Sequence, residues 1–144
     1  MIPDTLLKAS GLHTYYGQSH ILHGIDFAIS KGETIGLMGR NGMGKSTLIK
    51  SLVGVVRPRQ GEICIRGKPC LGMEPHKIAR MGIAYVPEGR GIFPNLTVKE
   101  NLQVSARRGL SGQCDWTYDR VLSCFPRLRE RLNNGGQQLS GGEQ

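Results

Sequence analysis

The sequence predicts an α/β fold, and three observations carry that prediction. The first is the stretch Gly39-Arg40-Asn41-Gly42-Met43-Gly44-Lys45-Ser46, which matches the pattern G-x-x-x-x-G-K-[ST] at every fixed position. The second is its setting. A short apolar run, Ile35 to Met38, precedes it and Thr47-Leu48-Ile49-Lys50-Ser51-Leu52-Val53 follows, so the loop lies where a strand turns into a helix. The third is a series of short apolar or alternating segments, at 25–29, 62–66 and 83–86, punctuated by glycine and proline as strands are.

The residue types in the loop suit close approach to phosphate. Glycines at 39, 42 and 44 let the backbone turn where a side chain would forbid it, and let N–H groups converge on anionic oxygens. A helix beginning near Met43 adds the positive end of its dipole. Lys45 supplies a full charge for the outer phosphates, and the Ser46 hydroxyl suits a magnesium ion bridging them. The alternative reading is a glycine-rich turn with an exposed lysine, which the strand-to-helix setting disfavours.

Composition bounds the remaining classes. The 144 residues, 38% hydrophobic, suffice for one modest domain with its own core. A net charge of +8 would admit nucleic acid or an anionic membrane surface as partner. The basic residues are scattered, however, with local concentrations only at Arg107-Arg108 and at Arg127, Arg129 and Arg131. Solvated faces plus a polyanionic nucleotide account for them better than a nucleic-acid stripe does. Cys64, Cys70, Cys114 and Cys124 contain no C-x-x-C pair, which argues for reduced thiols rather than a metal site. Met1-Ile2-Pro3-Asp4 opens without the basic and apolar regions of a signal peptide, and no apolar run approaches the ~20 residues that span a bilayer.

Taken in order, the chain begins with short strands at Leu6–Ala9 and Leu12–Tyr16, separated by Ser10-Gly11. In Ile25-Asp26-Phe27-Ala28-Ile29, residues 25, 27 and 29 share one face at period two. Lys31-Gly32-Glu33 then turns into a buried strand at 35–38. After the loop, Leu48, Ile49, Leu52 and Val53 fall on one helix face and Gly54 ends the helix. Arg57-Pro58-Arg59-Gln60-Gly61 breaks regular structure, Glu62–Arg66 alternates as a half-buried strand, and Gly67-Lys68-Pro69 turns the chain again.

Pro75 opens a short helix with Ile78 and Met81 inward and Gly82 as its stop. Ile83-Ala84-Tyr85-Val86 reads as a second compact strand, cut off by Pro87. Thr97-Val98-Lys99-Glu100 fits a capping box, so a helix should run from Val98 to about Arg107. A further helical stretch spans Trp116 to Phe125 and stops at Pro126, and a third piece carries the arginines at 127, 129 and 131. Asn133-Asn134-Gly135-Gly136 reads as a flexible break. Tyr16, ahead of the polar connection 17–20, is either an ordinary strand tyrosine, which spacing alone favours, or a ring for stacking on a base, worth on the order of 1–3 kcal/mol.

The last six residues, Leu139-Ser140-Gly141-Gly142-Glu143-Gln144, form a helix start in which Ser140 can cap and the glycines expose backbone N–H groups. Alone this is a weak signal, but it follows the phosphate loop in the right order. The chain thereby resembles the nucleotide-binding subunits of ATP-binding cassette (ABC) transporters, whose signature sequence is matched by residues 139–144. The resemblance implies a phosphate-loop ATPase core with an antiparallel β part over residues 1–86 and a helical part over 87–144. It implies ATP and Mg2+ as cofactors, with Gly39, Arg40, Asn41, Gly42, Met43, Gly44, Lys45, Ser46 and Thr47 around the phosphates and Tyr16 as the adenine-stacking aromatic. In that family the signature of one subunit faces the nucleotide of another, so Ser140, Gly141, Gly142, Glu143 and Gln144 would reach the partner's ATP in a head-to-tail dimer.

The family at large has glutamine where this chain has Glu88. The segments Tyr85-Val86-Pro87-Glu88-Gly89-Arg90 and Phe93–Leu102 resemble the subgroup that imports branched-chain amino acids. Glu88 could still approach magnesium or its water, or be a solvated loop charge. The 15–22 and 39–42 segments also resemble urea importers, the second reading for substrate. The resemblance further implies transmembrane permease subunits, a second ATP-binding subunit of the same or a related chain, an indirectly linked solute-binding protein, and a peripheral place on the cytoplasmic face of the plasma membrane. Nucleic acid is not an expected partner.

The family's aspartate-ended strand, catalytic glutamate and switch histidine follow its signature, whereas this sequence stops at Gln144, and its histidines at 13, 20, 23 and 76 all precede it. The fold is therefore expected to be incomplete at the C-terminus. The strand at 35–38 is expected to lack neighbours, and the 144 residues alone to bind ATP weakly without turning it over.

Overall fold

The computed structural model describes residues 5–106, 108–109 and 112–144. They fall into two compact units, Met1–Ile83 and Ala84–Gln144, a division three residues ahead of the expected one at 86. Met1–Asp4 and the expected helix end at Arg107 lie outside the described residues.

The first unit is organised by a four-stranded antiparallel sheet in the order β2-β1-β3-β4: β1 (Thr5–Tyr16), β2 (Ser19–Ser30), β3 (Gln60–Ile65) and β4 (Lys68–Pro69). The break expected at Ser10-Gly11 is instead an irregularity within one long strand, because the register slips between Ala9 and Leu12 while pairing continues on both sides. Gly11 donates its N–H to Asp26 Oδ1 at 2.8 Å there. Opposite the slip, Gly61 sits at φ 107°, and a Cβ would lie 2.5 Å from the Gly11 carbonyl oxygen, so only glycine lets β3 approach. Arg66 and Gly67, both at positive φ, make the two-residue turn into β4.

Along β2, Ile25, Phe27 and Ile29 are half-buried while Asp26 and Ala28 are exposed, the alternation expected. Ile63 and Ile65 of β3 are buried, with Leu7, Ala9, Leu12 and Leu22 from β1 and β2. Against them pack α1 (Lys45–Leu52) through Leu48 and Leu52, and α2 (Pro75–Arg80) through Ile78. Pro75 opens α2 as expected. In α1 the buried face is Thr47, Leu48, Ser51 and Leu52, and Ile49 is 42% exposed, which corrects its expected inward place. Ser51 turns inward because its hydroxyl meets Thr14 Oγ1 at 3.0 Å, a buried polar pair joining α1 to β1.

The runs expected as core strands are not strands. Residues 33–40 and 83–87 carry no sheet pairing, and Met38 is 90% and Val86 83% exposed. An apolar run becomes a strand only when a neighbour takes its N–H and C=O groups, and among the described residues neither run has one. The expected antiparallel part is thus formed, and the run before the loop, expected to lack neighbours, pairs with no strand among the described residues.

In the second unit, α3 (Val98–Ser105) begins on a complete capping box: Thr97 Oγ1 accepts from Glu100 N–H, and the Glu100 carboxylate accepts from Thr97 N–H at 2.8 Å. Asn101 secures the preceding loop, accepting from Phe93 N–H at 2.8 Å and donating to the Phe93, Leu96 and Thr97 carbonyls. α4 (Tyr118–Cys124) ends ahead of Pro126, which opens α5 (Pro126–Arg129). The segment expected to be a flexible break is pinned instead. Val98 N–H donates to the Asn134 carbonyl, Gly136 N–H donates to that of Leu96, and Thr97 pairs with Gly135.

Candidate functional site

In the first unit the candidate site is the loop that feeds α1. Gly44 caps the helix in the left-handed conformation at φ 83°, and a Cβ there would stand 3.0 Å from Leu22 Cδ2 and 3.2 Å from Ile21 Cγ2. Glycine is therefore required twice, for backbone angle and for contact with β2. No side chain caps α1 and no acidic residue occupies its first turn, so the helix carries its orphan N–H groups and positive dipole end into the loop without an internal anion. Lys45 folds back over the loop, donating through Nζ to the Gly39 carbonyl at 2.6 Å and the Arg40 carbonyl at 2.7 Å. Residues 39–43 are exposed, Ser46 is the second residue of α1, and Thr47 is buried beneath it. An uncapped helix start, a lysine and a hydroxyl side by side form a donor set that fits a polyphosphate with its counter-cation.

Tyr16 closes β1 and is 47% exposed. Its neighbours brace the hairpin end. Tyr15 is stacked on His20 at 4.1 Å between ring centroids, and the Arg59 guanidinium lies 4.4 Å from the Tyr15 centroid on the way to donating to the Gly17 carbonyl at 2.6 Å. His13 Nδ1 and His20 Nε2 share a hydrogen bond of 3.1 Å, with His23 3.7 Å from His20 between centroids. Burial, then the neighbouring His23, holds the His20 imidazole below its ordinary proton affinity. The cross-strand pairs that assemble this cluster, Tyr15 with His20 and His13 with His23, become visible only once the register is known.

In the second unit the final motif forms a tight turn. The amides of Glu143 and Gln144 donate to the Ser140 carbonyl at 3.1 Å, and Ser140 N–H donates to Glu143 Oε2 at 2.9 Å. Those hydrogen bonds from Ser140, chiefly the backbone one, hold the Glu143 carboxyl below the usual range, with Arg131 Nε 3.3 Å from Glu143 Oε1 assisting. Gly141 and Gly142 are exposed. Gln144 donates to the Gly136 and Leu139 carbonyls and accepts from Arg90 Nη1 at 2.9 Å. Glu88 is exposed in the loop that leads to Arg90.

A glycine-rich loop running into an uncapped helix start has the form of a phosphate-binding loop. Residues 22–144 match the family described as ABC transporter, and the chain belongs to that family. It is 40% identical over 139 residues to the high-affinity branched-chain amino acid transport ATP-binding protein BraG of Pseudomonas aeruginosa, covering 96% of this chain and 60% of that protein. It is 36% identical to the probable branched-chain amino acid transport ATP-binding protein LivF of Archaeoglobus fulgidus, covering 96% of this chain and 58% of that one. The chain thus spans about three fifths of the length of these curated relatives. Among solved structures, an ATP-binding subunit of an ABC transporter superposes with a TM-score of 0.77 at 34% identity, covering 96% of this chain and 57% of that one. A bacterial ABC transporter cassette solved as a dimer shares the fold, with a TM-score of 0.74 at 24% identity over 95% of this chain and 64% of that one. No helix among the described residues is long and apolar enough to cross a membrane.

Proposed function

We propose that the chain is the ATP-binding part of an importer for branched-chain amino acids, and that Gly39 to Thr47 hold the nucleotide phosphates. The observation that carries the nucleotide reading is the uncapped start of α1 with Lys45 folded over the loop ahead of it. Lys45 would exchange its two carbonyl partners for the outer phosphates, the Ser46 hydroxyl would hold magnesium, Glu88 on its own loop would offer a carboxylate to magnesium or its water, and Tyr16 would stack on the adenine. Magnesium, when bound, neutralises charge on the phosphates. Ser140 to Gln144 offer their turn to the γ-phosphate of ATP held by a second subunit, and membrane-spanning permease subunits with a solute-binding protein complete the importer at the cytoplasmic face of the plasma membrane. The branched-chain amino acid transport role of the relatives at 36–40% identity supports the substrate class. The 144 residues alone are proposed to bind ATP weakly without turnover, since among the described residues the apolar run before the loop has no sheet partner to fix it.

Substrate class is tested by disrupting the gene in the source organism and measuring uptake of radiolabelled leucine and urea. Leucine uptake should fall and be restored by the unmodified gene but not by Lys45→Ala. That variant should weaken ATP binding about 10- to 100-fold, the worth of a hydrogen bond to a charged group. Loss of urea uptake with leucine uptake intact would contradict the proposal and favour a urea importer.

A further inference from the structure

Arg90 stands in a backbone conformation its side chain does nothing to favour. Its φ is 70°, in the left-handed region, between Gly89 at 81° and Gly91 at 67°. Asparagine and glycine adopt that region at little cost, whereas a long side chain is strained there. Such strain persists when the side chain has a task elsewhere. Its guanidinium crosses to the final turn of the same unit: Nη1 donates to Gln144 Oε1 at 2.9 Å, and a side chain on Gly141 would meet Nη2 at 2.8 Å. The guanidinium thus packs against Gly141 while its Nη1 holds the end of the turn. Gln144, so held, spends its amide on the Gly136 and Leu139 carbonyls, which ties the turn to the pinned segment behind it.

We propose that Arg90 is a positioning residue for the turn Ser140–Gln144, holding Gly141 and Gly142 in a fixed presentation for an anion and linking that presentation to the loop bearing Glu88. This inference rests on the reading of the turn as a γ-phosphate contact for a second subunit's ATP. Glu143 is held independently by Arg131, so Arg90 governs the Gln144 side of the turn.

The test uses Arg90→Asn in the gene product at its native length, because asparagine relieves the backbone while being too short to reach Gln144. Melting should be unchanged or raised. Amide exchange over 140–144 should speed up about tenfold while exchange over 45–52 is unchanged. Binding of a fluorescent ATP analogue to the isolated subunit should stay within about twofold, while Mg-ATP-driven self-association weakens about tenfold or more. Arg90→Lys, which keeps charge without the fork, should share the defect. Combining Arg90→Asn with Gln144→Ala should cost no more than Gln144→Ala alone.

Wild-type exchange and association in both Arg90 variants, with Ser140→Ala abolishing association, would overturn the role of Arg90 and leave the γ-phosphate reading standing. Association unaffected by Ser140→Ala, or absent in the wild type both with itself and with the importer's related ATP-binding subunit, would overturn that reading and this inference with it.

Discussion

Lys45 shows how a single residue prepares a site. Its ammonium is held at 2.6 and 2.7 Å by the carbonyls of Gly39 and Arg40, so the charge is stationed at the loop before any phosphate arrives. His20 carries a second consequence at this scale. Burial first, and His23 next, hold its imidazole below the ordinary 6.5, with His13 and Arg59 adding to the effect. The unfolded chain therefore takes up the proton more readily than the fold does. The contribution of this group to stability is complete above pH 6.5 and declines as pH falls through 6.5 towards the lowered folded value. Thermal melts between pH 7.5 and 5.5 should show the wild type losing stability, and His20→Gln should flatten that dependence. An identical slope in both would remove His20 as the cause.

At the scale of elements, α1 and the phosphate loop are fixed to the sheet by packing of Leu48 and Leu52 and by the buried Thr14–Ser51 pair. Thr14→Val keeps the shape but strands the Ser51 hydroxyl, and should cost about 1–3 kcal/mol in denaturant unfolding. A cost near zero would mean Ser51 finds another partner. Gly61→Ala should be more damaging, since its methyl would be driven into the Gly11 carbonyl at 2.5 Å. Elements whose signals are local were legible in the sequence: the capping box at Thr97, Pro75 opening α2, and the alternation at 25–29 all stand where expected. What escaped reading depends on partners distant in sequence. The slip at Gly11 is made by Asp26 and Gly61, and the pinning of Gly135 by Thr97. The run at 35–38 was expected to lack neighbours and forms no strand, whereas the run at 83–86 read as a strand from its apolar content, and strand formation requires a neighbour that composition cannot reveal.

For the whole molecule, the glycine-rich stretch at 39–46 and the motif at 139–144 were visible in the sequence because each is contiguous and has fixed spacing. The supports around Tyr16, namely Tyr15, His20 and Arg59, were not, being assembled across strands. Each unit carries one contiguous motif, a loop with a stationed cation in the first and an exposed pair of glycines on a braced turn in the second. Family membership and the likeness to a transporter ATP-binding subunit give these motifs their context, and the proposed seat of the nucleotide is Tyr16 with the 39–47 loop. The most direct measurement is photolabelling with 8-azido-ATP and magnesium, followed by peptide mapping. That seat should yield label on the peptide containing Tyr16, displaced by excess ATP and lost in Lys45→Ala. Label that falls elsewhere, or that persists in Lys45→Ala and against excess ATP, would contradict it.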